Sequence, residues 1–383
     1  MLQPKGFRNF WLVGIMGLKQ HVTAARNPGI DLLRGLSIVL VIIHHTVSFR
    51  IPLKKTALAE VVPARVINAL SYNGYEAVFI FFVISGFLIT TNALNRWGSL
   101  PTLDLRAFYK RRAARILPCL FLLVLVLSGL HLAKVHDYVI EKPGQSLGRA
   151  ALSALGLHLN WYEGFHGYLP GSWDVLWSLS IEEVFYLGFP LLCISLGRTK
   201  LLAPALIALA LSLPWTHAAL AGNEIWQEKA YLPGMSAIAT GVLAALVAAR
   251  WTPSPRWVWI SGACGAAGVA AVLLIEDLLW HVLRDGTMLV LTFSAAALVL
   301  AFHWSSKRSL PGTGWLQSFG RLSYECYLTH MFVVLGVLAA FKASGAGVTH
   351  RYLWTLPSLA LSWLLGYAVS RFISIPAEEH LRR

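Results

Sequence analysis

Charge is what this sequence has least of. Only 13% of its 383 residues are Asp, Glu, Lys or Arg, about half the share found in soluble globular domains. That shortage excludes an ordinary water-facing surface. Cysteine is scarce as well: Cys119, Cys193, Cys264 and Cys326 each sit in an apolar stretch, with no pair at zinc-ligand spacing. Neither a disulfide framework nor a metal site is expected. A Ser/Pro-rich linker, a low-complexity tract and a repeat of about 20–50 residues are all missing, which argues against solenoids and strings of small modules. Acidic residues are the rarer sign, 18 against 32 Lys and Arg, for a net charge of +14. In a soluble chain that balance points to nucleic acid. Here the basic residues lie between apolar blocks and form no single patch, so topology and anionic lipid account for them and no nucleic-acid partner is expected.

What is present is apolar surface. Hydrophobic residues make up 56% of the chain, and the mean hydropathy is +0.61. A membrane-crossing helix needs about 20 apolar residues. Blocks of that kind fall at 30–50, 72–94, 116–134, 177–196, 201–220, 232–249, 257–275, 285–304, 322–342 and 353–374. The expected fold is therefore an all-α integral membrane bundle of about ten helices. With the N-terminus inside, basic residues such as Arg96, Arg106, Lys110, Arg111, Arg112 and Arg115 collect on inner segments. Asp137, Glu141, Glu163, Asp174, Glu224, Glu228, Glu276, Asp277 and Asp285 all fall outside. That positive-inside pattern puts both termini in the cytoplasm, and an eleventh span would spoil it. The stretch 149–160 is too short to cross and leaves a re-entrant course open. The first residues show no small-residue cleavage site, so no cleaved signal peptide is expected. Basic residues around Phe10–Leu18 suggest an interfacial helix instead. The expected organisation is a cytoplasmic segment at 1–29, a membrane domain at 30–375 and a short cytoplasmic tail at 376–383.

Ionisable residues inside a membrane are costly and mark functional sites. The first block, IDLLRGLSIVLVIIHHTVSF, holds Arg34, His44 and His45. At about 100° per residue, Arg34 and His45 share a helix face roughly 16 Å apart, with His44 about 80° away. Arg34 can snorkel to phospholipid and the histidines can be structural. Three such groups in one apolar helix favour a shared binding or catalytic role. In the fourth block, WSLSIEEVFYLGFPLL, Glu182 lies about 8 Å below the outer end, a depth similar to that of His45. If the two helices pack, Glu182 can orient the imidazole as the acid does in a catalytic triad. Glu183 points away and is as well explained by a structural ion pair. Ser85 and Gly86 in the second block permit close packing or passage of a thin ligand. The run LRAFYKRRAARILP, with Arg106, Lys110, Arg111, Arg112 and Arg115, exceeds what orientation needs. Arginine's bidentate geometry suits a polyphosphate. The ninth block places His330 near mid-membrane, above Ser323, Tyr324 and Tyr327.

Together these residues resemble acyltransferase family 3, integral membrane O-acyltransferases of surface glycans and exopolysaccharides. The likeness rests on Arg34-x10-His45 after Asp31; on FFVISGFLI with the R-x-x-R-x-x-P run at Arg112, Arg115 and Pro118; on W-S-L-x-x-E at Trp177–Glu182; and on S-Y-x-x-Y-L-x-H at Ser323–His330. In order and spacing these motifs cover nearly the whole chain. The ending SIPAEEHLRR departs from the family's acid-before-proline pattern, so no role is assigned to Glu378 or Glu379. The hydrolase-like C-terminal domain of many members is not among these 383 residues, so a stand-alone membrane module is expected.

The resemblance implies an acyl-CoA donor, usually acetyl-CoA, used as a substrate and not as a permanently bound cofactor. It also implies a hydroxyl acceptor on a cell-surface glycan, an exopolysaccharide or a lipid-linked saccharide, in a bacterial cytoplasmic (inner) membrane. The implied catalytic residues are His45, Glu182 and Arg34. Arg112, Arg115, Arg111, Lys110, Ser85, Trp177, Tyr324, His330 and His44 are expected at the donor or acceptor. Arg34 and the basic run would hold the phosphates, and the thioester would reach up beside Ser85. His45 would act either as general base or as an acyl-carrying nucleophile. A secondary transporter or flippase of a glycan or small molecule, without acyl transfer, is the alternative of another class. Transporters commonly carry internal repeats and paired broken helices, and neither is evident here.

Overall fold

A computed structural model describes residues 26–50, 52–305, 309–347 and 349–382. The interfacial helix expected at Phe10–Leu18 lies outside the described residues. Within them, every regular element is helical. The first apolar block forms α1 (Pro28–Arg50), and a short α2 (Ala64–Tyr72) leads into α3 (Gly74–Trp97). The basic run opens α4 (Leu105–Leu132), where the Asp104 carboxylate accepts a hydrogen bond from the Ala107 amide at 3.0 Å. That cap satisfies one of the amides left unpaired at a helix start.

The connection after α4 then forms α5 (Leu147–Leu155) and α6 (Leu159–His166) before α7 (Trp177–Leu196). The stretch 149–160 is thus divided between two short helices. The block expected at 201–220 is also divided, into α8 (Leu202–Leu211) and α9 (Leu213–Ala218). Pro214 at the head of α9 removes an amide donor and disfavours helix continuation through its predecessor. Neither piece reaches the length of a span.

After α10 (Glu224–Lys229) come α11 (Tyr231–Arg250), α12 (Pro255–Leu283) and α13 (Thr287–Trp304). The chain ends with α14 (Gly314–Arg321), α15 (Ser323–Ser344), α16 (Thr355–Val369), a π-helical stretch at Ser370–Ser374, and α17 (Ile375–Arg382). By length and composition, eight segments among the described residues can cross a membrane, against the ten expected. One of the eight is Pro255–Trp304, 50 residues long, which doubles back as α12 and α13.

Bare backbone contact holds the centre of the bundle together. A side chain on Gly86 of α3 would strike the Ile238 carbonyl of α11, and one on Gly241 of α11 would strike the Val83 carbonyl of α3. The same reciprocity joins α1 to α14: Gly35 meets the Leu316 carbonyl, and Gly320 meets that of Asp31. In a bilayer, where lipid is as apolar as the helices, such close van der Waals packing drives association. Other helices expose Phe121 and Leu125 (α4), Leu191 (α7), Leu278 (α12) and Leu364 (α16), apolar surface that suits acyl chains and not water.

Candidate active site

Helix α15 forms the spine of a polar line through this apolar bundle. At its start, the Ser323 hydroxyl accepts from Arg34 Nε at 3.2 Å and Nη2 at 2.8 Å. Seven residues on, His330 Nε2 lies 3.3 Å from His45 Nδ1. Both contacts advance in the same chain direction, so α1 and α15 run parallel. The helical rise puts roughly 10 Å between Ser323 and His330, and Arg34 reaches along the groove to cover the rest of its spacing from His45. The pairing of Arg34 and His45 on one face of α1 thus has a counterpart on α15.

Basic residues oppose the helix dipole at the start of α4, so their neighbours have to supply compensating charge. Arg112 lies over the Tyr186 ring, 3.6 Å from its centre, with Glu183 at 3.6 Å and Glu182 at 3.8 Å. Arg115, one turn further on, pairs with Glu378 at 3.2 Å and Glu325 at 3.6 Å, and lies 5.2 Å from the Tyr324 ring centre. The Tyr324 hydroxyl donates to the Ile116 carbonyl at 3.1 Å. In contrast, Arg106 and Lys110 are exposed and Arg111 is half-buried. The basic run therefore has an inward pair and an outward group.

The expected partnership of Glu182 with His45 needs correcting. Glu182 accepts hydrogen bonds from the Ser85 and Tyr186 hydroxyls, and these two hydroxyls also meet each other. The imidazole that adjoins His45 belongs to His330. Counting residues from helix ends gave similar depths to Glu182 and His45, but depth does not determine which helix faces which. Ser85 stands among polar groups, whereas its neighbour Gly86 serves packing. His44 turns towards α2, its Nδ1 3.0 Å from the Ser71 carbonyl. Trp177 is buried between Tyr75 and Phe82. Beside it, the Ser178 and Tyr327 hydroxyls bond at 2.7 Å, tying the head of α7 to α15.

Sequence reasoning missed three residues here. Tyr186 follows Glu182 by four positions, the spacing that places two side chains on one helix face. Glu378, given no role because it follows Pro376, is carried to Arg115 by the π-helical turn, which also sets Ser374 Oγ 3.0 Å from Cys119 Sγ. Lys229 drew no separate expectation from the sequence. It is buried, with Glu163 at 3.0 Å and Asp174 also bonded to its ammonium group. Burial and the Asp174 carboxylate push Glu163 well above the usual carboxylate range, opposed by Lys229. Two cavities, of about 320 Å³ by Arg65, Asn73 and Glu276 and about 210 Å³ by Asn27, Phe302 and Gln317, share no lining residue with the polar line.

Fold and site together define a multi-pass membrane protein with buried ion pairs and a histidine pair. The sequence profile of acyltransferase family 3, an acyltransferase domain, matches residues 27–375, and the chain belongs to that family. It is 26% identical over 378 residues to O-acetyltransferase OatA of Staphylococcus aureus strain NCTC 8325 / PS 47, covering 91% of this chain and 57% of the relative. A putative O-acetyltransferase of S. aureus strain COL is 25% identical over 376 residues, with the same two coverages. Peptidoglycan O-acetyltransferase OatA of Listeria monocytogenes is 28% identical over 218 residues, 54% of this chain and 29% of the relative. The chain thus spans little more than half the length of the curated relatives it matches most fully. No solved structure matches it.

Proposed function

We propose that this protein is a membrane O-acetyltransferase, moving an acetyl group from acetyl-CoA to a hydroxyl of a cell-surface glycan or lipid-linked saccharide. The proposed setting is a bacterial cytoplasmic membrane, with both termini inside. A ten-span topology fits if α12 and α13 cross separately and the α8–α9 pair crosses as a broken span. The observation that carries the reading is the polar line from the basic head of α4 to His45, in a chain whose relatives are named O-acetyltransferases.

Each part of the line has a chemical task in this reading. Lys110 and Arg111, together with Arg106, meet the CoA phosphates from the cytoplasm, where exposed cations gather polyanions. Arg112, Arg115 and Arg34 fix the deeper phosphates and the pantetheine entrance. The Glu182–Ser85–Tyr186 group borders the thioester's path. His45 removes the proton from the acceptor hydroxyl.

The test uses purified protein in liposomes with acetyl-CoA labelled in the acetyl group and a saccharide acceptor. Wild type is expected to release CoA and transfer label, and His45→Ala to do neither. No turnover by wild type, or equal turnover by His45→Ala, would overturn the reading. Acceptor movement without thioester loss would point to a transporter instead.

A further inference from the structure

The histidine pair contains more information than its proximity. His330 is completely buried, and its Nδ1 lies 2.8 Å from the Tyr327 carbonyl and 3.2 Å from that of Cys326. Carbonyl oxygens only accept, so His330 Nδ1 carries the hydrogen and Nε2 carries the lone pair. That lone pair faces His45 Nδ1 at 3.3 Å, and the same His45 nitrogen lies 2.9 Å from the Val41 carbonyl. Both contacts are attractive only if His45 Nδ1 is the donor, its hydrogen shared between the carbonyl and His330. The lone pair of His45 then resides on Nε2. These tautomers are assigned from the hydrogen-bond partners.

We propose that His330 is a positioning residue for acetyl transfer, a neutral acceptor that fixes the tautomer of His45 and supports the imidazolium it forms. The proposal rests on the reading of His45 as the base. In a hydrolase triad a buried aspartate performs this task. A neutral imidazole performs it here without an uncompensated carboxylate in an apolar span, which would be costly to desolvate. Glu182, the nearest candidate by sequence, is engaged with Ser85, Tyr186 and Arg112.

The transfer step balances with these groups. The acceptor hydroxyl gives its proton to His45 Nε2, and its oxygen bonds to the thioester carbonyl carbon. The carbon–sulfur bond breaks, sulfur leaves with the bonding pair, and the proton on Nε2 passes to the CoA thiolate. His330 accepts a stronger hydrogen bond while His45 is charged and ends unchanged. A separation of 3.3 Å is long for such a bond, and catalytic hydrogen bonds commonly tighten in the substrate complex. Among the described residues, the other titratable groups around the pair are His44 on α1, with its ring centre 5.2 Å from that of His45, Tyr327 on α15, and Lys229 at the end of α10.

The experiment measures kcat and the KM for acetyl-CoA in proteoliposomes, with a thermal melt of each variant. His330→Ala is expected to lose roughly 10²–10⁴-fold in kcat, with KM within about twofold and the melt unchanged. Added imidazole is expected to restore part of that loss. His330→Asp is expected to keep more activity than His330→Ala. It should also move the acidic limb of the kcat/KM profile to higher pH, because a carboxylate favours the protonated form of His45. A kcat for His330→Ala within about threefold of wild type overturns the proposal. So does equal loss in the Ala and Asp variants with neither imidazole rescue nor a shifted limb. Should His330→Asp fail to fold, absence of imidazole rescue in His330→Ala is the overturning result. Full activity in His45→Ala would instead remove the underlying reading of the base, whatever the His330 variants do.

Discussion

Two ionic clusters in this protein, one buried around Lys229 and one half-buried around Arg112 and Arg115, have similar composition and different states of completion. In the outer one, Lys229 meets Glu163 and Asp174, and the cluster is sewn into the backbone. Asn160 donates to the Lys229 carbonyl at 2.9 Å, and the Leu169 amide donates to Glu163 at 3.0 Å. The inner cluster, around Arg112 and Arg115, also sets cations against carboxylates. Yet among the described residues Glu183 Oε1, both carboxylate oxygens of Glu325 and Arg112 Nε are buried without a hydrogen-bond partner, whereas around Lys229 all three charged groups are bonded and the neutral Asn160 Oδ1 is left without one. A buried polar network is stabilising when complete and expensive when incomplete. The closed cluster reads as a fastening that holds α6 and the head of α7 to α10 and α11. In the proposed function, the open one is a site whose remaining partners arrive with a substrate.

Breaking the closed cluster should give the largest effect on stability. Lys229→Met leaves two carboxylates without their cation, at an expected cost of about 3–5 kcal/mol, seen as a lower melting temperature in detergent. Activity at low temperature should fall much less. If the melt is unchanged, the cluster is not a fastening.

An intermediate effect is expected at the inward arginines. Arg112→Gln or Arg115→Gln should raise the KM for acetyl-CoA roughly tenfold, the scale of one charged hydrogen bond, with a small change in melting. The smallest effect belongs to the outward cations. Lys110→Gln or Arg106→Gln should raise KM by only about two- to fivefold, and the difference should fade at high salt, since exposed charges are screened. A larger effect at Lys110 than at Arg112 would invert the assignment of the inward and outward groups.

Much of this was legible in the sequence, for reasons that differ by residue. Composition alone identifies a membrane protein, because apolar blocks of span length with so little charge have no other stable home. Arg34 and His45 announce themselves by being costly where they stand. His330 does the same, but its pairing with His45 depends on α1 and α15 running side by side, which no local pattern encodes. The pairing of Glu182 with His45 failed on the same point. The break between α8 and α9 was visible in Pro214, though the surrounding apolar run masked it. Glu378 reaches Arg115 through a π-helical turn with no signature in SRFIS. Lys229 had a usable signal: a lysine opening an apolar block, opposite an outer connection rich in acids. Charge bookkeeping for topology absorbed it.

The central claim is that the open cluster serves chemistry and the closed one serves the fold. Parallel measurement of kcat and melting temperature for Glu182→Gln and Lys229→Met tests it most directly. Glu182→Gln keeps the shape of the side chain and removes the charge that Ser85, Tyr186 and Arg112 meet beside the thioester's path, so a loss of about ten- to hundredfold in kcat with an unchanged melt is expected. Lys229→Met should show the reverse. An unaffected rate in Glu182→Gln, or a drop in its melt as large as that of Lys229→Met, would contradict the account.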